Sequence, residues 1–338
     1  MPEKVRFFFD PDSHSYFDET GQFYTSVTTL IGKAKKPFDT EYWTVYKALE
    51  ARNYTIKYSN ENLEKRQFNF LGITSTIDDI YSSFPDIAEE ANSIGEGWKA
   101  DTLIACKVGS DKHDYLEAQL LNIFNKARGV IDSARIRPFG LDDVVANYKD
   151  SDTVIDSIEK LYKSDLIKTH PEISKLLKKY IEAGFVLIPE IRVYLKEYLL
   201  AGTIDVLAVN PITLECYIID WKTNKDKLKF TSGYYRKEKK IINGKRVKVK
   251  TDEWVPKEEY FLPPIDNMPL CKGNEYVIQT NIYGGMSEEW GLKCKGIIIV
   301  HIQRNAETNK FFDPVFYSVK YNPSIFYRMS NFNLSLVN

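Results

Sequence analysis

Cysteine is scarce: the 338 residues hold four, Cys106, Cys216, Cys271 and Cys294, and no Cys-x-x-Cys pair. Neither a disulfide framework nor a zinc or iron–sulfur site is signalled. Long apolar runs are missing too, since the longest, Gly296 to Ile302, is far too short to span a bilayer. The opening residues MPEKVRFFFD lack the basic-then-apolar build of a secretory leader. There is no Gly-x-x-x-x-Gly-Lys phosphate loop and no internal repeat, which excludes a P-loop motor and a solenoid. Net charge is only −1, so the chain as a whole is no generic polyanion binder, and any nucleic-acid contact has to come from a local basic zone. These absences together predict a soluble, intracellular, cytoplasmic protein with reduced thiols and no membrane partner.

What the chain does have is core-building material, 43% hydrophobic residues with 14% aromatics, enough for one large domain or two small ones. Between Arg6 and Leu30, short β-rich runs are split by Asp10-Pro11-Asp12 and Glu19-Thr20-Gly21, which predicts a hairpin leading into helix. Asp39 to Gly129 reads as mostly helical, broken at Pro85 and at several glycines. Its clearest helix should start after Gly109, capped by Ser110 or Asp111, with His113, Leu116, Glu117, Leu120 and Phe124 near one face. More helix, interrupted near Pro138 and Pro171, should run to about Ala183.

The texture then turns to strand. Phe185–Tyr194, Tyr198–Asn210 and Cys216–Thr223 are rich in Val, Ile, Tyr and Leu, with a turn at Asn210-Pro211. Lys225 to Lys250 follows with eleven basic residues against two acids, Asp226 and Glu238, so charge is strongly segregated in a nearly neutral chain. Asn243-Gly244 between two lysine-rich runs predicts a protruding two-stranded wing. A Pro-rich connector, a helix from about Asn274 to Glu289, a strand from Gly296 to Gln303 and an edge strand from Pro314 to Tyr321 complete the reading.

The predicted class is therefore α/β: a central mixed β-sheet of about five strands flanked by helices, with an N-terminal helical elaboration. As one domain over 1–338, it divides into the elaboration at 1–100, a core at 101–223 and 274–321, and a basic hairpin insertion at 225–270.

Side chains alternate along a strand, so in Tyr217–Lys222 the residues Ile218, Asp220 and Lys222 share one face. A hairpin to Ala201–Asp205 can set Asp205 beside Asp220. Two neighbouring carboxylates repel, and a divalent cation relieves that cost. Carboxylate oxygens for Mg²⁺ or Mn²⁺ with a cation near the attacking water are what phosphodiester hydrolysis requires. By itself D…D-x-K is a common pattern that also fits a hairpin with surface charges.

The wider arrangement narrows this. GTIDVLAVN…YIIDWKTNK, preceded by Gly109…His113…Glu117 and followed by Gln279…Tyr283, resembles the PD-(D/E)XK nuclease superfamily in its RecB-like exonuclease branch. The resemblance covers roughly residues 100 to 305. It extends more weakly to His14-Ser-Tyr16 and Ser26-Val-Thr-Thr29, which look like the opening of standalone phage-type exonucleases and of the mitochondrial genome maintenance exonuclease. It implies a restriction-endonuclease-like core in which Asp205, Asp220, Lys222 and His113 are catalytic. The metal ligands would be His113, Asp205, Asp220 and the main-chain carbonyl of Trp221. Gln279, Tyr283 and Glu117 would serve the substrate. The basic wing, which has no counterpart in the family pattern, adds Arg236 and Lys237 as substrate contacts on the ground of its charge. Glu190 reads equally as a further acidic member and as a structural residue. Relatives with an iron–sulfur site carry three C-terminal cysteines; this chain has none after Cys294, so no iron–sulfur cluster is expected.

The implied activity is a metal-dependent DNA exonuclease acting on single-stranded ends in replication, recombination or repair, alongside a helicase or single-strand-binding partner. A structure-specific endonuclease with the same centre, and a noncatalytic DNA-binding protein that keeps the fold, are the competing readings. Tyr234, Tyr235 and Trp254 around the wing offer surfaces for unpaired bases. The same lysines also suit a solvated flap protected against aggregation.

Overall fold

The computed structural model describes residues 7–10, 13, 15–123, 131–132, 135–136, 151–242, 245–305, 308 and 310–337. His14, Phe124, Pro138 and the Asn243-Gly244 turn lie outside the described residues. The chain divides into two units, Met1–Lys36 with Lys112–Asn338, and Pro37–Asp111.

The larger unit is α/β around one mixed sheet. Its strands begin with β1 (Phe7–Asp10), β2 (Ser15–Asp18) and β3 (Phe23–Ser26), and β3 runs straight into helix α1 (Val27–Lys33). Ser26 makes that switch possible, because its hydroxyl accepts the Thr29 backbone N–H as the helix N-cap. The chain then passes through the smaller unit: α2 (Thr40–Ala51), α3 (Asn60–Glu64), β4 (Gln67–Phe70), β5 (Ile73–Thr76), α4 (Ile77–Ser83) and the first part of α5 (Pro85–Ile123). It returns through β6 (Ile131–Asp132), β7 (Arg135–Ile136), and helices α6 (Ser151–Lys163), α7 (Leu166–Thr169) and α8 (Pro171–Glu182), the last opening on a proline that has no N–H to leave unpaired. Strands β8 (Val186–Leu195), β9 (Leu200–Val209) and β10 (Glu215–Asn224) form a meander. After β10 come β11 (Gly233–Ile242), β12 (Lys245–Pro256), α9 (Lys272–Glu289), β13 (Lys293–Gln303), β14 (Val315–Val319) and α10 (Pro323–Val337).

Strand β9 organises the sheet. It pairs antiparallel with β8 along its whole length; its opposite edge takes β10 at Val206–Val209 and, in parallel, β3 at Leu200–Ala201. Strand β13 lies parallel to β10, with β14 outside it, and β1, β2, β6 and β7 extend the sheet beyond β3. Among the described residues the sheet has ten strands rather than about five, because the N-terminal strands fill the part of the β9 edge that β10 leaves free.

Each sheet face buries its own core. On one side Ile218 packs with Ile278, Ile282 and Met286 of α9 and Phe326 of α10; on the other Ile219 and Trp221 pack with Leu116 and Leu120 of α5 and Leu177 of α8. The alternation expected for Tyr217–Lys222 is therefore present, and it commits Asp220 and Lys222 to the face of Ile218.

Three expectations need correction. Residues 1–100 do not form one elaboration, since residues 7–33, the expected hairpin leading into helix, belong to the large unit. Within 39–92 the structure has a β4–β5 hairpin; its turn residues Leu71 and Gly72 both have positive φ, 53° and 77°, the left-handed pair that such two-residue turns require. Asn or Asp before that glycine would have signalled the turn, and leucine does not. Finally, no helix starts at Ser110 or Asp111: α5 runs unbroken from Pro85 to Ile123 through Gly95, Gly97 and Gly109. Glycine costs a helix only about 1 kcal/mol relative to alanine. Burial of Ile87 and Ala91 in the smaller unit's core and of Leu116, Leu120 and Ile123 in the larger unit's outweighs that. Among the described residues no helix is long and apolar enough to cross a membrane.

Candidate metal centre

The alternation of β8 and β9 breaks at one place. Before Glu190, the even residues Val186 and Ile188 face the α9 core; after it, the odd residues Ile191, Val193 and Leu195 do. On β9 the parity changes at the matching point, since Ile204 faces that core but beyond Asp205 it is Leu207 and Val209. Pro189 pairs with Val206 and Ile191 with Ile204, so Glu190 and Asp205 sit opposite one another at the irregularity. Glu190 adopts φ 47°, a left-handed conformation that costs a non-glycine residue of the order of 1 kcal/mol or more. The backbone thus turns two carboxylates toward one point.

Helix α5 brings His113 to the same point. Its Nδ1 lies 3.8 Å from Asp205 Oδ2, and ligand atoms of His113, Glu190 and Asp205 all fall within 4.8 Å of one another. These three side chains, two half-buried and one buried, could hold a metal ion. Asp205 is held through the same oxygen, since Oδ2 also accepts the Trp221 backbone N–H at 2.7 Å. The Trp221 backbone also lies beside the His113 imidazole and favours its charged form.

Asp220 and Lys222 stand beside this group on β10. Lys222 Nζ is 2.8 Å from Asp220 Oδ2, a charge-assisted contact, while Asp220 Oδ1 has no hydrogen-bond partner. A fully buried carboxylate with open lone pairs is costly. A cation beside it would satisfy what the protein leaves open.

The electrostatics agree. Burial, with the neighbouring Asp205, Glu117 and Asp220 carboxylates, pushes Glu190 well above the usual carboxylate range, against the pull of Arg192. Burial raises Asp205 despite Lys222 and the Trp221 N–H. Burial likewise lifts Asp220 to about 6, with Lys222 opposing and Asp205 adding to the rise. For Lys222, burial works toward the neutral form, but Asp220 and Asp205 outweigh it and hold the ammonium above its ordinary range. Burial and Lys222 lower His113, which leaves its imidazole neutral and able to donate a lone pair.

Helix α9 roofs the group. The Lys222 ammonium lies 4.9 Å from the Tyr276 ring centroid, and Asn224 donates to the Tyr276 hydroxyl at 2.9 Å. Gln279 Nε2 donates to the Tyr283 hydroxyl at 3.2 Å. Tyr283 lies against β9 where Gly202 has no side chain: a Cβ there would meet Tyr283 Cε1 at 2.6 Å. Because both residues are enclosed, Gly202→Ala is expected to destabilise the protein by about 1–3 kcal/mol through overpacking. In a Tyr283→Leu background the cost should fall below about 0.5 kcal/mol, since the interfering ring is gone. Urea denaturation of the four proteins checks this; equal cost in both backgrounds would contradict the close approach.

No protein-family model matches the chain, and no curated protein sequence matches it significantly.

The structure places Asp205, Asp220 and Lys222 together with His113 beside them, and Gln279 and Tyr283 lie on the adjoining helix. Glu117 is near enough to raise Glu190. Arg236 and Lys237 are elsewhere, on the exposed β11–β12 hairpin, where Arg236 pairs with Glu253 at 3.0 Å. Sequence reasoning left Glu190 undecided and did not single out Tyr276. Glu190 follows a proline in a run that is apolar at both parities, so the switch at which it sits leaves no signal in the sequence. The four cysteines are free; Cys216 and Cys294 are in-register partners on β10 and β13, away from this group in the opposite half of the strand.

Proposed function

We propose that the chain is a metal-dependent DNA nuclease of PD-(D/E)XK type, in the RecB-like exonuclease branch, acting on single-stranded ends. The observation that carries this reading is the buried Asp220 carboxylate, short of hydrogen-bond donors, between Lys222 and the His113–Glu190–Asp205 group.

His113, Glu190 and Asp205, with Asp220 alongside and the Trp221 carbonyl as implied by resemblance, would hold Mg²⁺ or Mn²⁺. Oxygen-rich donors suit such hard cations, and the bound cation would supply charge neutralisation on the phosphate and a more acidic water. Lys222, kept protonated by Asp220 and Asp205, orients the attacking water and stabilises charge growing on the phosphoryl oxygens. Tyr276 limits where that ammonium can go, and Glu190, raised by burial and by the carboxylates around it, holds a proton when the cation is lost. Gln279 and Tyr283 present polar atoms from α9 for the nucleic-acid backbone. A helicase or single-strand-binding protein is the partner class such an enzyme works with.

The test compares end-labelled linear single-stranded DNA with a covalently closed single-stranded circle in Mg²⁺ or Mn²⁺. The expected result is loss of the linear strand and survival of the circle. Cutting of both would establish an endonuclease, and a folded protein inert on both would overturn the reading.

A further inference from the structure

The basic insertion does more than project from the fold. Its two strands form a separate sheet whose base walls a cavity of about 580 Å³, together with the end of β10 and the start of α9. That volume is in the range of small-molecule sites. Six lysines line it, Lys225, Lys227, Lys229, Lys237, Lys250 and Lys272, against the single acid Asp226.

Two features speak for an anionic occupant. Lys237 and Lys250 stand directly opposite each other in the β11–β12 ladder, a placement that like charges disfavour. Asp226 pairs with Lys250 and offsets only one of the two. The second feature is aromatic: Tyr235 and Trp254 meet edge to face at 5.0 Å in the cavity wall. Lys250 lies 4.1 Å from the Tyr235 ring centre, and Lys229 lies 5.8 Å and 5.7 Å from Tyr235 and Trp254. Cations interleaved with half-exposed rings match the phosphates and base faces of an unpaired strand. A duplex offers no free base face.

The cavity also adjoins the candidate centre. Lys272, in its wall, lies 5.7 Å from the ring of the same Tyr276 that carries Lys222 at 4.9 Å. Strand β10 itself runs from Asp220 and Lys222 into Asn224 and Lys225 of the lining.

We propose that this cavity binds an unpaired nucleotide of the strand whose phosphodiester lies at Lys222, with its base against Tyr235 and Trp254 and its phosphate between Lys229, Lys237 and Lys250. The position of the strand rests on the nuclease reading; the binding does not, so it is measured apart from cleavage. Fluorescence anisotropy in EDTA, with fluorescein-labelled dT12 and a blunt 12-base-pair duplex, compares the full chain with Lys229→Ala/Lys237→Ala and with Tyr235→Ala. The wild type should bind dT12 at least tenfold more tightly than the duplex. The lysine variant should lose about tenfold on dT12 and shed about 1.4 from the salt slope, for two lost phosphate contacts. Tyr235→Ala should lose about fivefold or more on dT12 and stay within twofold on the duplex.

The lysine substitutions are at the surface, which keeps the test open if Tyr235→Ala unfolds. Wild-type affinity for dT12 in the lysine variant, or a wild type that prefers duplex or binds neither, would overturn the proposal. Binding as expected by a protein inert in Mg²⁺ would leave the cavity standing and remove the nuclease reading.

Discussion

Lys222→Ala is expected to lower the rate of single-turnover cleavage by roughly 10²–10⁴-fold, the span over which positioned proton-transfer and water-orienting groups act. The same substitution should leave single-strand affinity within a few-fold, because the basic cavity is untouched. Lys222 is the cation nearest the buried Asp220, and Asp220 and Asp205 both hold it protonated. Removing one member of a buried ion pair can cost about 3–5 kcal/mol. The variant should escape part of that by protonating Asp220, whose carboxyl already stands at about 6. Lys222→Arg keeps the charge but replaces a compact ammonium with a planar fork, so it should restore stability more than rate. Rapid-quench kinetics with circular dichroism on both variants separates the two effects. Full cleavage by a folded Lys222→Ala protein would remove the lysine from the chemistry.

Divalent metal is expected to stabilise the protein in a pH-dependent way. Asp220 rises from an ordinary 3.8 to about 6 through burial, and Asp205 and Glu190 are raised as well. Groups raised on folding bind more protons in the native state, so without metal their contribution is full below about 3.8 and is lost as pH rises through about 6 and beyond. For Asp220 alone that loss is of the order of 3 kcal/mol. Metal replaces those protons. Millimolar Mn²⁺ should therefore shift Tm little at pH 5 and by roughly 5 °C or more at pH 7.5, the size expected at about a hundredfold excess over Kd. Asp205→Asn should abolish the shift. Differential scanning calorimetry at the two pH values checks this, and a shift equal in wild type and variant would place the metal elsewhere.

The legible parts of the fold were those where periodicity is unbroken. In Glu215–Asn224 strict alternation sends Ile218, Asp220 and Lys222 one way and Ile219 and Trp221 the other, and both cores accept their share. The hairpin of β11 and β12 was legible from Asn243-Gly244 between two lysine-rich runs. Glu190 was not, because a two-residue period cannot see the left-handed residue at which that period slips. The long α5 hid behind its glycines, whose small individual penalties were outweighed by tertiary burial. Helix α10 escaped notice altogether: Ile325, Phe326, Met329 and Asn333 have helical spacing, but polar residues such as Ser330 and Asn333 are buried among them. Asn333 is held there by donating to the Tyr198 and Leu199 carbonyls, contacts no local pattern announces. Gly202 needed the partner helix to be understood, since its value lies in what Tyr283 requires.

The most direct measurement is hydrolysis of a labelled single-stranded oligonucleotide by the wild-type protein across pH 6 to 9, with Mg²⁺, with Mn²⁺ and with EDTA. Products with 5′-phosphate and 3′-hydroxyl ends are expected in either metal, none in EDTA, and none in either metal with Asp205→Asn. Hydrolysis that persists in EDTA, or a folded wild-type protein that cuts nothing with either metal, would contradict the nuclease reading.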